Sequence, residues 1–326
     1  MPTPHTDPVM TAPVKVSICL PTYQRPDLIG QSLDSCLAQT HTNIEVLIGD
    51  DSTDDRTRSL IEARYAADPR VRYVKNTPSL GQARNVESLF ARATGDRILL
   101  IHDDDFLVGN AVERMLSAWP AHPDVQVAFG DQYVTDSRGT VLPAASEHLN
   151  RAYHRTRDVA GLQKQPGRTG LVQMFPNNGW MADADLVKRI GYREQNGVAC
   201  DYVFGTEICL AAKGVYYLNE YVSYNRQTEV SITTSTRAST SASTLVAYNF
   251  LRALELPPQL EPARRLALRR MVPIVVSIYA RNHAPLESLK LALSHLSAYN
   301  YGFSRRLYFH LLIMAKSLLT ARTSAL

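Results

Sequence analysis

Short apolar runs alternate with amphipathic stretches over the first 130 residues. Val14 to Leu20 (VKVSICL) has the pattern of a buried strand closed by Pro21. Ile29, Leu33, Cys36, Leu37 and Thr40 follow at i, i+4, i+7, i+8 and i+11, the spacing of one helix face. The alternation recurs as strand Ile44 to Gly49, helix Asp54 to Ala67 with Ser52 or Thr53 as N-cap, strand Val71 to Lys75, helix Gln82 to Ala93, and strand Arg97 to Ile101. Strands separated by helices predict an α/β fold whose mostly parallel central sheet is covered on both faces. Ligands of such sheets bind beyond the carboxyl ends of the strands, which directs attention to the residues after Leu20, Gly49 and Ile101.

A helix (Asn110 to Trp119) and a strand (Val125 to Phe129) continue the pattern, which then fades from Asp131 to Pro176, a stretch that reads as hairpins or a mobile loop. Order returns with Asn178 to Met181, helices Asp183 to Ile190 and Asp201 to Lys213, and strands near Val215 to Leu218 and Val222 to Arg226. Ser231 to Ser243 is nearly all Ser, Thr and Ala, a linker composition. From Leu245 onward the pattern is helical, with breaks expected at Pro257/Pro258, Pro273 and Pro285. The expected organisation is a tail (1–13), a first half (14–130), a second half with a mobile loop (131–235) and a C-terminal helical extension (236–326).

Composition narrows the class. With 326 residues, 45% of them hydrophobic, the chain can bury a sizeable core and is neither collagen-like, coiled-coil nor mostly disordered. A net charge of +4 gives no argument for nucleic acid, yet permits a phosphate-bearing ligand or an anionic membrane surface. Cys19, Cys36, Cys200 and Cys209 are scattered without CxxC spacing, as buried thiols of a reducing compartment would be. The Pro/Thr-rich start does not read as a secretory signal, and the apolar stretches Met271 to Ala280 and Leu307 to Leu319 fall short of the ~20 residues of a spanning helix. The expected location is cytoplasmic, with peripheral contact at the inner membrane face left open.

Four segments carry chemistry. His102-Asp103-Asp104-Asp105 follows the strand RILLI, and adjacent carboxylates at an open strand end repel one another until a divalent cation, Mn²⁺ or Mg²⁺ by ligand hardness, relieves the repulsion. The alternative is that these aspartates cap the helix near Asn110. Asp50 to Asp55 can accept from a base or ribose, or cap the next helix. Pro21-Thr22-Tyr23-Gln24-Arg25-Pro26 offers a tyrosine to stack on a base and contains neither GxGxxG nor GxxxxGK[ST]. Gly81 to Asn85 opens a helix from which Arg84 can reach a phosphate or simply face solvent.

In order and spacing these segments resemble the inverting, nucleotide-sugar-dependent glycosyltransferases of family 2, which have the GT-A (Rossmann-like) fold. The resemblance is strong from Val14 to Pro120 and looser to Ser231. It implies that Pro21, Thr22 and Tyr23 line a base pocket, that Asp51 contacts the base, that Asp103 meets the ribose, and that Asp104 and Asp105 serve the metal, with Arg84 toward the phosphates. It further implies that Asp201, opening a helix, is the catalytic base, with Glu207 as fallback. Trp180 falls where the acceptor pocket begins, or else in the core. Two positions depart from the family pattern: His102 stands where many members have Asp, and Cys200 replaces the Glu before the base. Thr228 likewise stands where some members have His.

The implied function is transfer of a sugar from a nucleotide diphosphate sugar, UDP first and dTDP or GDP next, to a carbohydrate, lipid-linked or small-molecule acceptor. The alternatives are a sugar-1-phosphate nucleotidyltransferase, disfavoured because PTYQRPD lacks a glycine-rich triphosphate loop, and a non-catalytic nucleotide- or sugar-binding module. Arg264, Arg265, Arg269 and Arg270, then Arg305 and Arg306 before LYFHLLIMA, fit membrane-surface docking, a homodimer contact or solvated helix faces.

Overall fold

The computed structural model describes residues 14–227, 237–282 and 284–323. The expected tail, Thr228 and residues 231–236 of the Ser/Thr-rich stretch lie outside the described residues.

Among the described residues nine strands form one mixed sheet: β1 (Val16–Thr22), β2 (Ile44–Asp50), β3 (Val71–Lys75), β4 (Arg97–Leu100), β5 (Phe106–Leu107), β6 (Val125–Thr135), β7 (Gly161–Leu162), β8 (Trp180–Asp183) and β9 (Gly214–Arg226). Their order is β3-β2-β1-β4-β8-β6-β9-β5, with β7 also pairing to β9. The strands β3-β2-β1-β4 are parallel, β8 runs antiparallel between β4 and β6, and β6 pairs in parallel with β9. The sheet therefore runs without a break across the expected boundary at residue 130, which falls inside β6.

The apolar runs are continuous because both faces of these strands are covered. Ile18, Leu20, Val46 and Ile48 pack into one core with helices Pro26–Leu37 and Arg56–Tyr65. Cys19, Leu47, Ile98 and Leu100 point the other way, onto helix Gln82–Arg92 and the helices of the second half. All four cysteines are buried and free. Gly49 permits the closest of these approaches, since a Cβ there would collide with the carboxamide of Asn85, which donates to the Gly49 carbonyl at 2.8 Å.

Glu45 is a buried acid near the start of β2, 2% exposed among apolar neighbours. Burial opposes its charge, but donors from Ser17 Oγ (2.5 Å), Thr94 N and Thr94 Oγ1 (2.8 Å each) and Lys15 Nζ (3.1 Å) outweigh it and bring the carboxyl down to about 2.

Several expectations are corrected. Asp131 to Pro176 is no open loop: β6 runs on to Thr135, and helices Pro143–Ala152 and Pro166–Leu171 follow. The first of these helices is anchored by polar rather than apolar side chains. Ser146 Oγ accepts from Val134 N (2.8 Å), and Asn150 brackets Gln132 by accepting from its N (3.1 Å) and donating to its O (3.0 Å). A hydrophobic stripe was therefore never needed there. The two strands expected near Val215 and Val222 are one, its register against β6 broken by irregularities around Phe129 to Gln132. Residues 237–243 begin helix Arg237–Ala253 rather than a linker. Pro273 lies within helix Glu261–Arg281 without ending it. The lost backbone bond, worth about 3 kcal/mol, is offset by burial of Met271, Val272, Val275 and Val276 at ~1.5–3 kcal/mol each.

Candidate active site

Parallel pairing sets the carboxyl ends of β1, β2 and β4 side by side, with Thr22 level with Asp50 and Cys19 level with Leu100. The chain turns just beyond β4, where Asp105 N donates to the His102 carbonyl (3.2 Å), and the three aspartates diverge. Asp103 faces the first loop. It accepts from Thr22 Oγ1 (2.8 Å), Tyr23 N (3.3 Å) and Arg25 Nη1 (2.9 Å). Asp104 shares Arg25 Nη1 at 2.8 Å. Asp105 turns to the second half, accepting from Arg226 N (2.8 Å), Asn178 Nδ2 (2.8 Å) and Asn225 Nδ2 (3.4 Å). Burial raises the pKa of Asp103 against the pull of Arg25; burial and then the charge of Asp104 raise that of Asp105. None of the three caps the helix that starts at Ala111, which has no side-chain cap.

His102, the departure from the family pattern, joins this group. One ligand atom each from His102, Asp104 and Asp105 lie within 4.8 Å of one another. Nδ1 of His102 meets Asn178 Nδ2 at 3.2 Å, and its Nε2 is buried with no hydrogen-bond partner. Two carboxylates and an imidazole fit a divalent cation, and the orphaned Nε2 is the atom such a cation would satisfy.

Asp201 lies in the first turn of helix Cys200–Ala211, whose N-cap is Ala199, so it is not the cap. The Tyr192 hydroxyl donates to its carboxylate, and the Tyr192 backbone N–H donates to Glu87 on helix Gln82–Arg92. Burial pushes Asp201 upward, while His102 pulls it down, which puts the base candidate within the electrostatic reach of the acidic group. Cys200 is buried in the core, and Glu207 pairs instead with Arg193 (3.6 Å).

The remaining candidates divide. Tyr23 is 52% exposed, its ring open to a stacking partner, and Pro21 and Thr22 precede it at the strand end. Asp51 has both oxygens filled by the loop opposite: Asn76 Nδ2 (2.8 Å) and Leu80 N (3.0 Å) on one, Ser79 Oγ (2.9 Å) and Gly81 N (2.6 Å) on the other. Arg84 Nε donates to Glu194 (2.6 Å) at the surface. Trp180 is corrected: it is fully buried against Phe90, Phe175 and Phe204, with ring centroids 5.2–6.1 Å away, and offers no face to an acceptor. Its neighbour Asn178 reaches the site instead. The turn between them needs Gly179 at φ +72°, where a side chain would strike Ser223. Sequence reasoning reached the segments that hold Arg25, Asn178 and Arg226 without giving these side chains a role, and missed Tyr192; the contacts with Asp103–Asp105 and Asp201 span up to 122 residues.

The same fold occurs in solved structures. S. aureus TarS 1–349 in complex with UDP-GlcNAc superposes with TM-score 0.59 at 16% identity, over 87% of this chain and 89% of that one. Mannosyltransferase PcManGT from Pyrobaculum calidifontis, in complex with GDP-Man and Mn²⁺, gives 0.60 at 16% identity, over 95% and 87%. The protein thus has the GT-A fold of glycosyltransferases, with C-terminal helices added.

Residues 17–177, just under half of the chain, match the family model described as Glycosyl transferase family 2, and this segment belongs to that family. Among curated relatives, it is 37% identical over 128 residues to a chondroitin synthase of Escherichia coli, 39% of this chain and 18% of that one. It is 31% identical over 102 residues, 31% of this chain and 40% of the other, to the E. coli UDP-Glc:alpha-D-GlcNAc-diphosphoundecaprenol beta-1,3-glucosyltransferase WfgD. The matched stretch spans less than half the length of either relative.

Proposed function

We propose that this protein is an inverting glycosyltransferase that moves a sugar from a nucleotide diphosphate sugar to an acceptor hydroxyl. The observation that carries the reading is the convergence of His102, Asp104 and Asp105 at the end of β4 with Asp201 inside the same electrostatic field. Asp201 takes the proton of the attacking hydroxyl. Its raised pKa strengthens it as a base while Tyr192 fixes its orientation. Tyr23 stacks on the base, Thr22 and Pro21 shape the pocket, and Asp103 meets the ribose. Recognition of the base by Asp51 exchanges one of its four loop donors for a base N–H. Arg84, released from Glu194, serves the phosphates.

His102, Asp104 and Asp105 are the residues to hold Mn²⁺ or Mg²⁺, and the imidazole in the set favours Mn²⁺. When bound, the cation stabilises charge on the departing diphosphate. To ligate a cation, Asp104 would have to loosen its pair with Arg25. UDP is the preferred carrier and a lipid-linked sugar the preferred acceptor, supported by the relative named for a diphosphoundecaprenol substrate and by the neighbour holding UDP-GlcNAc. Such an acceptor places the reaction at the inner membrane face.

Calorimetric titration of UDP, dTDP, GDP, CDP and ADP with and without Mn²⁺, on the wild type and Asp104→Ala, tests the donor side; NMR of the anomeric product tests inversion. Metal-dependent binding of one nucleotide, lost in Asp104→Ala, is expected. Binding without transfer to any acceptor or to water makes the protein a sugar-nucleotide-binding module. No binding under either condition sinks the proposal.

A further inference from the structure

We infer that the outer faces of the last helices form a docking surface for an anionic lipid bilayer. Residues 262–326 carry ten Lys or Arg and a single carboxylate, Glu287, a net of +9, whereas residues 1–261 carry 25 against 30, a net of −5. The charge is joined by apolar exposure. Of the thirteen large hydrophobic side chains exposed among the described residues, eight lie between Leu286 and Leu318.

Helix Arg305–Thr323 shows how the two properties combine. Leu307, His310, Met314 and Ser317 form its buried side. At about 100° per residue, Arg305, Tyr308, Phe309, Leu312 and Lys316 fall on the opposite side within roughly a third of a turn, and all five are exposed, Leu312 by 70%. Helix Pro285–Ser294 repeats the arrangement: Leu286, Lys290 and Leu293, at i, i+4 and i+7, line its outer stripe, Leu286 exposed by 67%. Phe303, in the turn between these helices, is exposed by 89%. Both helices pack against each other and against Glu261–Arg281, so the apolar-basic stripes are the sides turned away from that support.

This is the reverse of an ordinary surface helix, whose outer side is polar. Aromatic and leucine side chains flanked by Arg and Lys suit the headgroup boundary of a bilayer, where the former enter the acyl region and the latter meet lipid phosphates. A second copy is disfavoured because it would set the exposed Lys290, Arg305, Arg306 and Lys316 against like charges. A nucleic acid would use the arginines but has no place for Leu286, Leu293 and Leu312. Arg264 takes no part; it pairs with Glu261 and donates to the Leu251 and Leu254 carbonyls. No helix among the described residues is long and apolar enough to cross a membrane, so the contact is peripheral.

The inference does not rest on sugar transfer, and its test needs no turnover. The full chain is floated with phosphatidylcholine vesicles alone or with about 30 mol% phosphatidylglycerol, at low and high salt. Expected is at least about tenfold greater binding to the anionic vesicles, weakened by salt, and a comparable loss both in Phe309→Asp/Leu312→Asp and in Arg305→Glu/Arg306→Glu. Leu286→Asp/Leu293→Asp, on the neighbouring helix, repeats the test should the first pair fail to fold, as judged by thermal unfolding. Absence of flotation, or flotation unchanged by the apolar substitutions, overturns the inference. So does tighter binding to a single-stranded RNA than to vesicles, or a dimer in gel filtration that Leu312→Asp converts to monomer.

Discussion

The central strands β1, β2 and β4 with their loops, and the helical region after residue 260, handle polar and apolar groups in opposite ways. At the two ends of these strands, buried carboxylates are matched with donors: Glu45 has Ser17, Thr94 and Lys15, Asp51 has four loop donors, and Asp103 has Thr22, Tyr23 and Arg25. The last helices do the reverse, leaving aromatic and leucine side chains in solvent. A region whose buried carboxylates are satisfied internally is built to hold a fixed geometry, whereas one that leaves apolar surface unmatched is built to meet something else. The two should therefore respond differently to substitution, pH and ligands.

The largest difference is expected at Asp201. Asp201→Asn should lower turnover by about 10³-fold while nucleotide affinity, read by calorimetry, stays within about twofold. A parallel loss of nucleotide binding would show that this residue belongs to the donor site instead. Next, Asp104→Ala should weaken Mn²⁺-dependent nucleotide binding by about 100-fold, and His102→Ala by less, because an imidazole brings no charge to the cation. Equal effects with and without Mn²⁺ would place these residues outside the metal site.

Stability sharpens the contrast further. Glu45, at about 2 in the fold against 4.5 unfolded, contributes roughly 3 kcal/mol that is present above pH 4.5 and disappears as pH falls toward 2. Glu45→Gln should cost a similar amount at pH 7 by urea unfolding and flatten that acid limb. His310 affects the helical region earlier in the same titration. Buried beside Tyr299 and near Arg306 and Arg281, its imidazole is pushed down to about 4, so its contribution is complete above pH 6.5 and is lost as pH falls from there through 4. Hydrogen exchange at pH 5 should show helix Arg305–Thr323 opening while β1 and β2 stay protected, and His310→Gln should remove the difference. The smallest effect is expected for Trp180→Phe, which should cost about 1 kcal/mol of stability and leave acceptor KM unchanged, since the indole is in the core.

The sequence was legible where structure is made by periodic burial. β1 to β4 and their helices follow from apolar runs and 3.6-residue spacing, and with them the position of His102 to Asp105 at an open strand end. It was opaque where polar side chains do the anchoring. Helix Pro143–Ala152 docks through Ser146 and Asn150, which look like loop residues in a list of hydrophobics. The site partners are hidden for a related reason. Tyr192 is ordinary until the fold brings it to Asp201, and nothing local assigns Asn178 or Arg226 to Asp105. Trp180 was left between pocket and core because an aromatic beside a predicted pocket reads the same whether its ring faces in or out, and the core is where it lies.

Helix Gln82–Arg92 has one further consequence. Arg84 at its start meets Glu194, and Glu87 one turn later holds the Tyr192 backbone, from which the hydroxyl reaches Asp201. A donor phosphate that draws Arg84 away frees the segment just before the proposed base, while the hold through Glu87 stays in place. That arrangement would act as a clutch: donor occupancy would set how freely the acceptor side can move, so acceptor KM should change between low and saturating donor, and Glu194→Ala, which removes the tether the donor releases, should erase the dependence.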